Sequence, residues 1–389
     1  MAKPISFARG APSLDIVDVG GLRAAADRAF ADDPGGLTAY GTSIGYPPLR
    51  EWIAEHHQVD PGRVLVTNGS MQADAFLFEA LVQNGDQVIV EHPTYDRTLL
   101  SLRGRSADVR AVELEADGID VAALEDLLEG GAEPKLAHII PNFQNPAGYT
   151  LSAAKRERLI ELARAHEFTI FEDDPYVALR FEGSSLPTML SLDDASVGSV
   201  ESAGSGGSVV YASSFSKTVC PGIRVGYLVG PSALIARIAK IATSTYISPS
   251  MVSQGIVNEF CRSGALQRSI ETVKAALRER AQTLCQALAT QLPDARFEPP
   301  QGGYFLWVQL PSGTDVNALH AVAAQRGVQF VKGSDFVLQG ARSSLRLAYS
   351  GVTPDEIEEG VTRLADAYAE VRLLGGADAL AGERATDAP

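Results

Sequence analysis

The stretch SVVYASSFSKTVCPGIRVGYLVGP, residues 208–231, opens as a buried strand, breaks at a hydroxyl-rich turn carrying one lysine, and resumes as apolar sequence. Ser214, Ser216 and Lys217 therefore fall near the carboxyl end of a strand, the edge at which open α/β sheets bind ligands. Arg224 follows beyond a Pro-Gly turn. A lysine amine condenses with an aldehyde once neighbouring cations lower its pKa, and hydroxyls beside a guanidinium suit a phosphate. A lysine near a turn is by itself an ordinary surface residue, so the weight rests on its surroundings.

Working upstream, RVLVT (63–67), DQVIVEHP (86–93), KLAHIIP (135–141) and FTIFEDD (168–174) are further apolar runs of strand length. Helical sequence such as AAKRERLIELARAHE (153–167) separates several of them. Buried strands joined by crossover helices imply an α/β fold with a mainly parallel sheet covered on both faces. Downstream, residues 231–292 are helix-rich, and ARFEPPQGGYFLWVQL (295–310), a helix near 315–326, VQFVKG (328–333) and SSLRLAYS (343–350) read as a smaller α/β domain.

The expected organisation is an N-terminal arm and helix over 1–35 packing with the small domain, a large domain over 36–285, and a small domain over 286–372. The polar, small-residue tail 373–389 is expected to be disordered, and SVGSVESAGSGGS (196–208) to be a surface loop. A chain of 389 residues exceeds a single core, in keeping with two domains. A net charge of −15 argues against nucleic acid or an anionic membrane surface as partner, because both need a basic footprint. Cys220, Cys261 and Cys285 show neither metal-ligand spacing nor a disulfide framework, so no metal is expected. MAKPISFARG lacks the apolar core of a signal peptide, and no eighteen-residue apolar run exists, which makes the cytoplasm the simplest compartment.

Five other motifs carry chemistry. In EDDPYVALRF (172–181), Asp173 can pair with a pyridine nitrogen and Tyr176 can donate to a phenolate oxygen; the bland alternative is a strand terminus. In PNFQNPAGYTLS (141–152), Asn145 precedes a proline in a turn that can aim its amide, or is merely a turn opener. In TNGSMQ (67–72), Ser70 and the N–H groups beside it can form an anion site at a helix start, or Ser70 can be a plain N-cap. Tyr95, in EHPTYDRTL (91–99), can stack on a flat ring or fill a core. Arg346 lies inside an apolar strand pattern and needs a carboxylate, either a substrate's or an internal one.

Taken in order, these motifs resemble the class I/II aminotransferases of pyridoxal 5′-phosphate (PLP) fold type I, over roughly residues 5–370. The likeness is greatest to the branch holding 2-aminoadipate and kynurenine aminotransferases and the aminotransferase-like half of MocR regulators. The resemblance implies a seven-stranded, mainly parallel sheet in the large domain. It implies that Lys217 forms the Schiff base and shuttles protons, and that Asp173 faces the pyridine nitrogen. Asn145 and Tyr176 would bond the cofactor's O3′, Tyr95 would stack on its ring, and Arg346 would take the substrate α-carboxylate, with Asn145 beside it. Ser70, Met71, Gln72, Ser214, Ser216 and Arg224 would surround the phosphate. Tyr40, in LTAYGTSIGYPPLREW (37–52), would reach a neighbouring subunit's phosphate, which implies a homodimer.

The implied reaction moves an amino group from an L-amino acid to a 2-oxo acid, through pyridoxamine phosphate. An enzyme of β- or γ-elimination, replacement or cyclisation is the leading alternative, since the first proton transfer is shared. A PLP-sensing regulator is the remoter one, because the match begins near residue 5 and the charge is acidic. Ala147, Met71 and Lys332 depart from the family's usual residues, and the last two bear on the substrate. The side-chain pocket would be built from loops and the arm, Arg9 included.

Overall fold

In the computed structural model, which describes residues 3–197 and 207–386, runs of Val, Ile and Leu form an eight-stranded sheet. From one edge the strands are Val64–Thr67, Gly226–Val229, Val209–Ser214, Thr169–Asp173, Pro134–Ile139, Gln87–His92, Asp108–Glu115 and Gly118–Ile119. The five from Val209–Ser214 to Asp108–Glu115 are mutually parallel. Gly226–Val229 runs against both neighbours, so Val64–Thr67 is parallel to the main set.

The seven expected strands are joined by a short eighth: after Glu115 the chain turns back, and Gly118 and Ile119 pair antiparallel with Leu114 and Glu115. The central strands are buried on both faces, Val209–Ser214 along its whole length, which is why they read as unbroken apolar runs. One face is covered through Val66, Ile89, Ile139 and Ile170, the other through Leu65, Val88, Val90, Phe171 and Leu228.

A second core belongs to the C-terminal part. Phe305–Gln309, Ser344–Ala348 and Val331–Lys332 form an antiparallel sheet that shares one buried core with the helices Ala265–Gln291 and Pro354–Thr386. Ile5, Phe7 and Ile16 of the arm are buried in this core, and Ile5–Ser6 pairs with Val328–Gln329. The helix Val19–Asp32, expected to pack there too, instead lies on Met251–Arg262 of the large domain. Its buried residues are Ala25 and Ala29, one turn apart, and small side chains permit that close approach.

The final helix is Pro354–Thr386, and the Ala, Leu, Glu and Arg of its last part are strong helix formers. Residues 387–389 of that tail, and 198–206 of the Gly/Ser loop, lie outside the described residues. Among the described residues no helix is long and apolar enough to cross a membrane, and no His, Cys, Asp or Glu cluster could hold a metal.

Candidate active site

The sheet's parallel direction determines where the site lies. The ends of Val64–Thr67, Gln87–His92, Pro134–Ile139, Thr169–Asp173 and Val209–Ser214, with the antiparallel start of Gly226–Val229, share one edge. The segments leaving that edge line a cavity of about 290 Å³. Its wall includes Ser70, Met71, Tyr95, Asn145, Asp173, Tyr176, Ser214, Ser216, Lys217 and Arg224, ten residues that the motifs singled out from separate stretches of the chain.

At one end of the cavity is an anion cradle. The helix Ser70–Leu81 starts without a side-chain cap, so the first-turn N–H groups have no side-chain acceptor. Ser70 is the first helical residue, and Gly69 holds the cap position at φ +91. A Cβ on Gly69 would strike the Arg224 guanidinium, which lies over the loop and donates to Asn68 O at 3.3 Å. Gly226 is needed for the same approach from below, since its Cβ would lie 2.5 Å from Ser70 N. Arg224 also donates to Ser216 Oγ at 3.3 Å, and Ser214 Oγ accepts the Ser216 N–H at 3.1 Å. Hydroxyls, a guanidinium and a helix start thus converge.

Across the cavity lies Lys217. Its Nζ donates to Gly10 O at 2.6 Å and sits beside the adjacent Tyr176 and Tyr304 rings, 5.7 and 5.4 Å from their centroids. Tyr304 donates to the Lys217 carbonyl at 2.7 Å, which braces the residue. Burial first, then Arg346 and Arg224, push the amine down to about 8, against the opposing pull of Asp173. At pH 7 roughly a tenth of such amines are uncharged, against about a few in ten thousand for an ordinary lysine.

Asp173 ends its strand almost fully buried. His138 Nε2 approaches its Oδ2 at 3.5 Å, while Oδ1 has no partner among the described residues. A buried carboxylate oxygen left free in a cavity wall is a place for a ligand's N–H. Burial raises the Tyr176 phenol, which keeps its proton and remains a donor.

Arg346 comes from the second core and is not itself in the cavity wall, which it meets through Asn145. Its Nη1 donates to Asn145 Oδ1 at 2.8 Å and its Nη2 to Ala8 O at 2.7 Å, while Nε has no partner among the described residues. Phe305 and Phe336 flank the guanidinium at 4.2 and 4.8 Å. It has no carboxylate within ion-pair distance among the described residues. An internal salt bridge therefore does not explain it.

Besides Arg346, two of the singled-out residues lie outside the cavity wall. Gln72 turns back, its Oε1 accepting the Asn68 N–H at 2.9 Å, and it braces the loop rather than lining the cavity. Tyr40 is 87% exposed and outside the cavity wall. Lys332 points to Asn317 Oδ1 at 3.1 Å, so this departure bears little on the cavity.

The structure adds residues that the motifs did not single out. Asp74 lines the cavity; the signal was an acid inside the apolar run ADAFLFEAL, four residues after Ser70. His138 backs Asp173 from the neighbouring strand, and its signal was a basic residue in KLAHIIP. Glu91 is buried and accepts from Tyr149 at 2.6 Å, Gln144 at 3.0 Å and the Ile140 N–H at 3.2 Å. It thereby pins both ends of the Asn145 loop.

The family model for "Aminotransferase class I and II" matches residues 2–364. This chain is a class I/II aminotransferase. It is 32% identical over 362 residues to the 2-aminoadipate transaminase of Thermus thermophilus, covering 92% of this chain and 89% of that protein. The structure of LysN, an alpha-aminoadipate aminotransferase from the same organism complexed with N-(5′-phosphopyridoxyl)-L-leucine, superposes with a TM-score of 0.89 at 30% identity. It covers 95% of this chain and 93% of that one. YisV of Bacillus subtilis, an uncharacterized HTH-type transcriptional regulator, is 27% identical over 91% of this chain and 74% of its own length.

The aminotransferase has the aspartate-aminotransferase-like fold of PLP fold type I, and its cofactor is PLP. The residues present fit that group. The cradle at Ser70 and Arg224 matches a phosphate, the free oxygen of Asp173 matches a pyridine N–H, and Lys217 carries an amine of lowered basicity.

Proposed function

We propose that this aminotransferase moves the amino group of an L-amino acid to a 2-oxo acid, with Lys217 as the covalent anchor of PLP and as the base. The juxtaposition that carries the reading is Lys217, with its lowered amine in the cavity wall, and Arg346, a buried guanidinium without a carboxylate among the described residues, bonded to Asn145 of that same wall. When bound, PLP supplies an aldehyde and an electron-accepting ring. Ser70, Ser214, Ser216 and Arg224 hold its phosphate, with the Met71 N–H beside them. Tyr95 covers its ring, Asn145 and Tyr176 orient its oxygen, and Asp173 takes its ring N–H.

Arg346 binds the substrate α-carboxylate, which replaces Ala8 O as the guanidinium's partner. Lys217 Nζ, beside two tyrosine rings, takes the proton from the substrate Cα. A donor leaves as its oxo acid in the first half-reaction, and an acceptor oxo acid leaves as an amino acid in the second, which predicts ping-pong kinetics.

The enzyme works as a homodimer, in which Tyr40, solvent-exposed in the single chain, reaches the partner's phosphate site. Light scattering should give twice the 41.2 kDa chain mass. The function is tested by incubating the holoenzyme with amino donors and 2-oxoglutarate. Glutamate and the matching oxo acid are expected; release of ammonia, or a new C–C or C–X product, overturns transamination. Borohydride reduction followed by peptide mapping should place the pyridoxyl label on Lys217, and a label elsewhere removes the assigned anchor.

A further inference from the structure

One carboxyl at the cavity has no task in the scheme above. Asp74 stands on the second turn of the helix Ser70–Leu81, only 6% exposed, and lines the same cavity as Asp173. Its Oδ1 has no hydrogen-bond partner among the described residues, and neither has Asp173 Oδ1. Phe76, Leu77 and Phe78, which follow on that helix, are all buried in core, so an apolar residue would be the inexpensive choice at this position.

Two carboxyls in one water-poor cavity cannot both stay ionised unless a cation lies between them. The other titratable groups on that wall are Tyr95, Tyr176, Lys217 and Arg224, with His138 behind Asp173. Both cations have assigned partners: Arg224 lies over the anion cradle and Lys217 donates to Gly10 O. Asp173 must remain a carboxylate to face the ring N–H, which leaves Asp74 to be the protonated member. Burial, and then Asp173, push Asp74 well above the ordinary carboxyl range.

We propose that Asp74 is a second, uncharged carboxyl of the cofactor site, a positioning residue that donates its O–H to the carboxylate of Asp173. Resting on the proposed pairing of Asp173 with the ring nitrogen, it deepens that reading. A donor on Asp173 lowers the carboxylate's own appetite for a proton, so the shared proton stays on the ring nitrogen, where electron withdrawal needs it. Asp74 contributes this at a cost to the fold, since a buried carboxyl is less stable than an apolar side chain of its size.

The test is the 15N resonance of holoenzyme loaded with ring-15N-labelled PLP, in the wild type, Asp74→Asn, Asp74→Leu and Asp173→Asn. Asn is uncharged and still donates, so Asp74→Asn is expected to keep the resonance of a protonated ring. Asp74→Leu is expected to move it toward an unprotonated pyridine and to weaken PLP binding on the order of tenfold. The cofactor-free Asp74→Leu protein should melt higher than the wild type, the opposite of what a merely structural carboxyl would give.

If Asp74→Leu keeps the wild-type resonance and affinity, the proposal fails. If Asp74→Asn behaves like Asp74→Leu, the uncharged donor is excluded. Asp173→Asn separates the two layers: an unmoved resonance there overturns the Asp173 pairing itself, whereas a moved one beside an unmoved Asp74→Leu removes Asp74 alone. Asp74→Val serves as the second apolar variant if the leucine does not fold.

Discussion

Lys217 and Arg346 show how much one residue's surroundings decide. Burial lowers the Lys217 amine to about 8, so between about pH 8 and its unfolded value near 10.5 the unfolded chain binds a proton that the folded one does not. Stability of the cofactor-free protein should therefore gain a rising contribution across that window. Lys217→Met should abolish that rise in denaturant titrations, besides removing turnover. Arg346→Lys keeps the charge but not the planar fork that reaches Asn145 and Ala8. Its KM for the amino donor should rise about 10- to 100-fold, with a smaller change in kcat. These residues were legible because each lies in a short motif whose neighbours limit its chemistry. Asp74, His138 and Tyr304 were not, because their partners come from other strands or from the other core, which linear spacing does not reveal.

At the scale of an element, the loop bearing Asn145 is held from outside itself. Glu91 receives hydrogen bonds from Gln144, Tyr149 and the Ile140 N–H, so a single buried carboxyl anchors the turn on both sides of Asn145. Glu91→Leu strands these donors, and should cost about 1–3 kcal/mol for each one left buried and unpaired, read as a lower denaturation midpoint. Glu91→Gln should recover much of that loss. Burial raises Glu91 to about 7, so its contribution to stability is complete below the unfolded value near 4.5 and is lost as pH climbs to 7. Glu91→Gln should flatten that decline. The helix Ser70–Leu81 depends on a comparable external fit: Gly226→Ala presses a methyl onto Ser70 N and should weaken PLP binding while leaving the strand pairing in place. The TNGSMQ motif marked this turn, yet it placed Gln72 among the ligand groups. The amide instead closes a local bond to Asn68, which competes with any outward reach.

Across the whole molecule, the site draws Lys217 and Asp173 from the sheet, Arg346 from the C-terminal core and carbonyls from the N-terminal arm. The alternation of buried strands and helices made the large sheet readable, since period and run length are local properties. Packing partners were less so. The arm was expected to carry its helix onto the small domain, but Ala25 and Ala29 take Val19–Asp32 to the large one. The segment joining them, from Ile16 to Val19, thus ties the two cores together.

The two arm carbonyls give this arrangement a kinetic meaning. Before substrate arrives Ala8 O already satisfies a guanidinium N–H of Arg346, and in the cofactor-free protein Gly10 O satisfies the lysine amine. At Arg346 Nη2 an arriving carboxylate swaps partners with the protein's own backbone, and such an exchange nets about 0.5–1.5 kcal/mol per bond. Each departing product is in turn replaced by a ready-made internal competitor tethered close by. Modest grip and prompt turnover suit a catalyst that must discharge one molecule before it can admit the next.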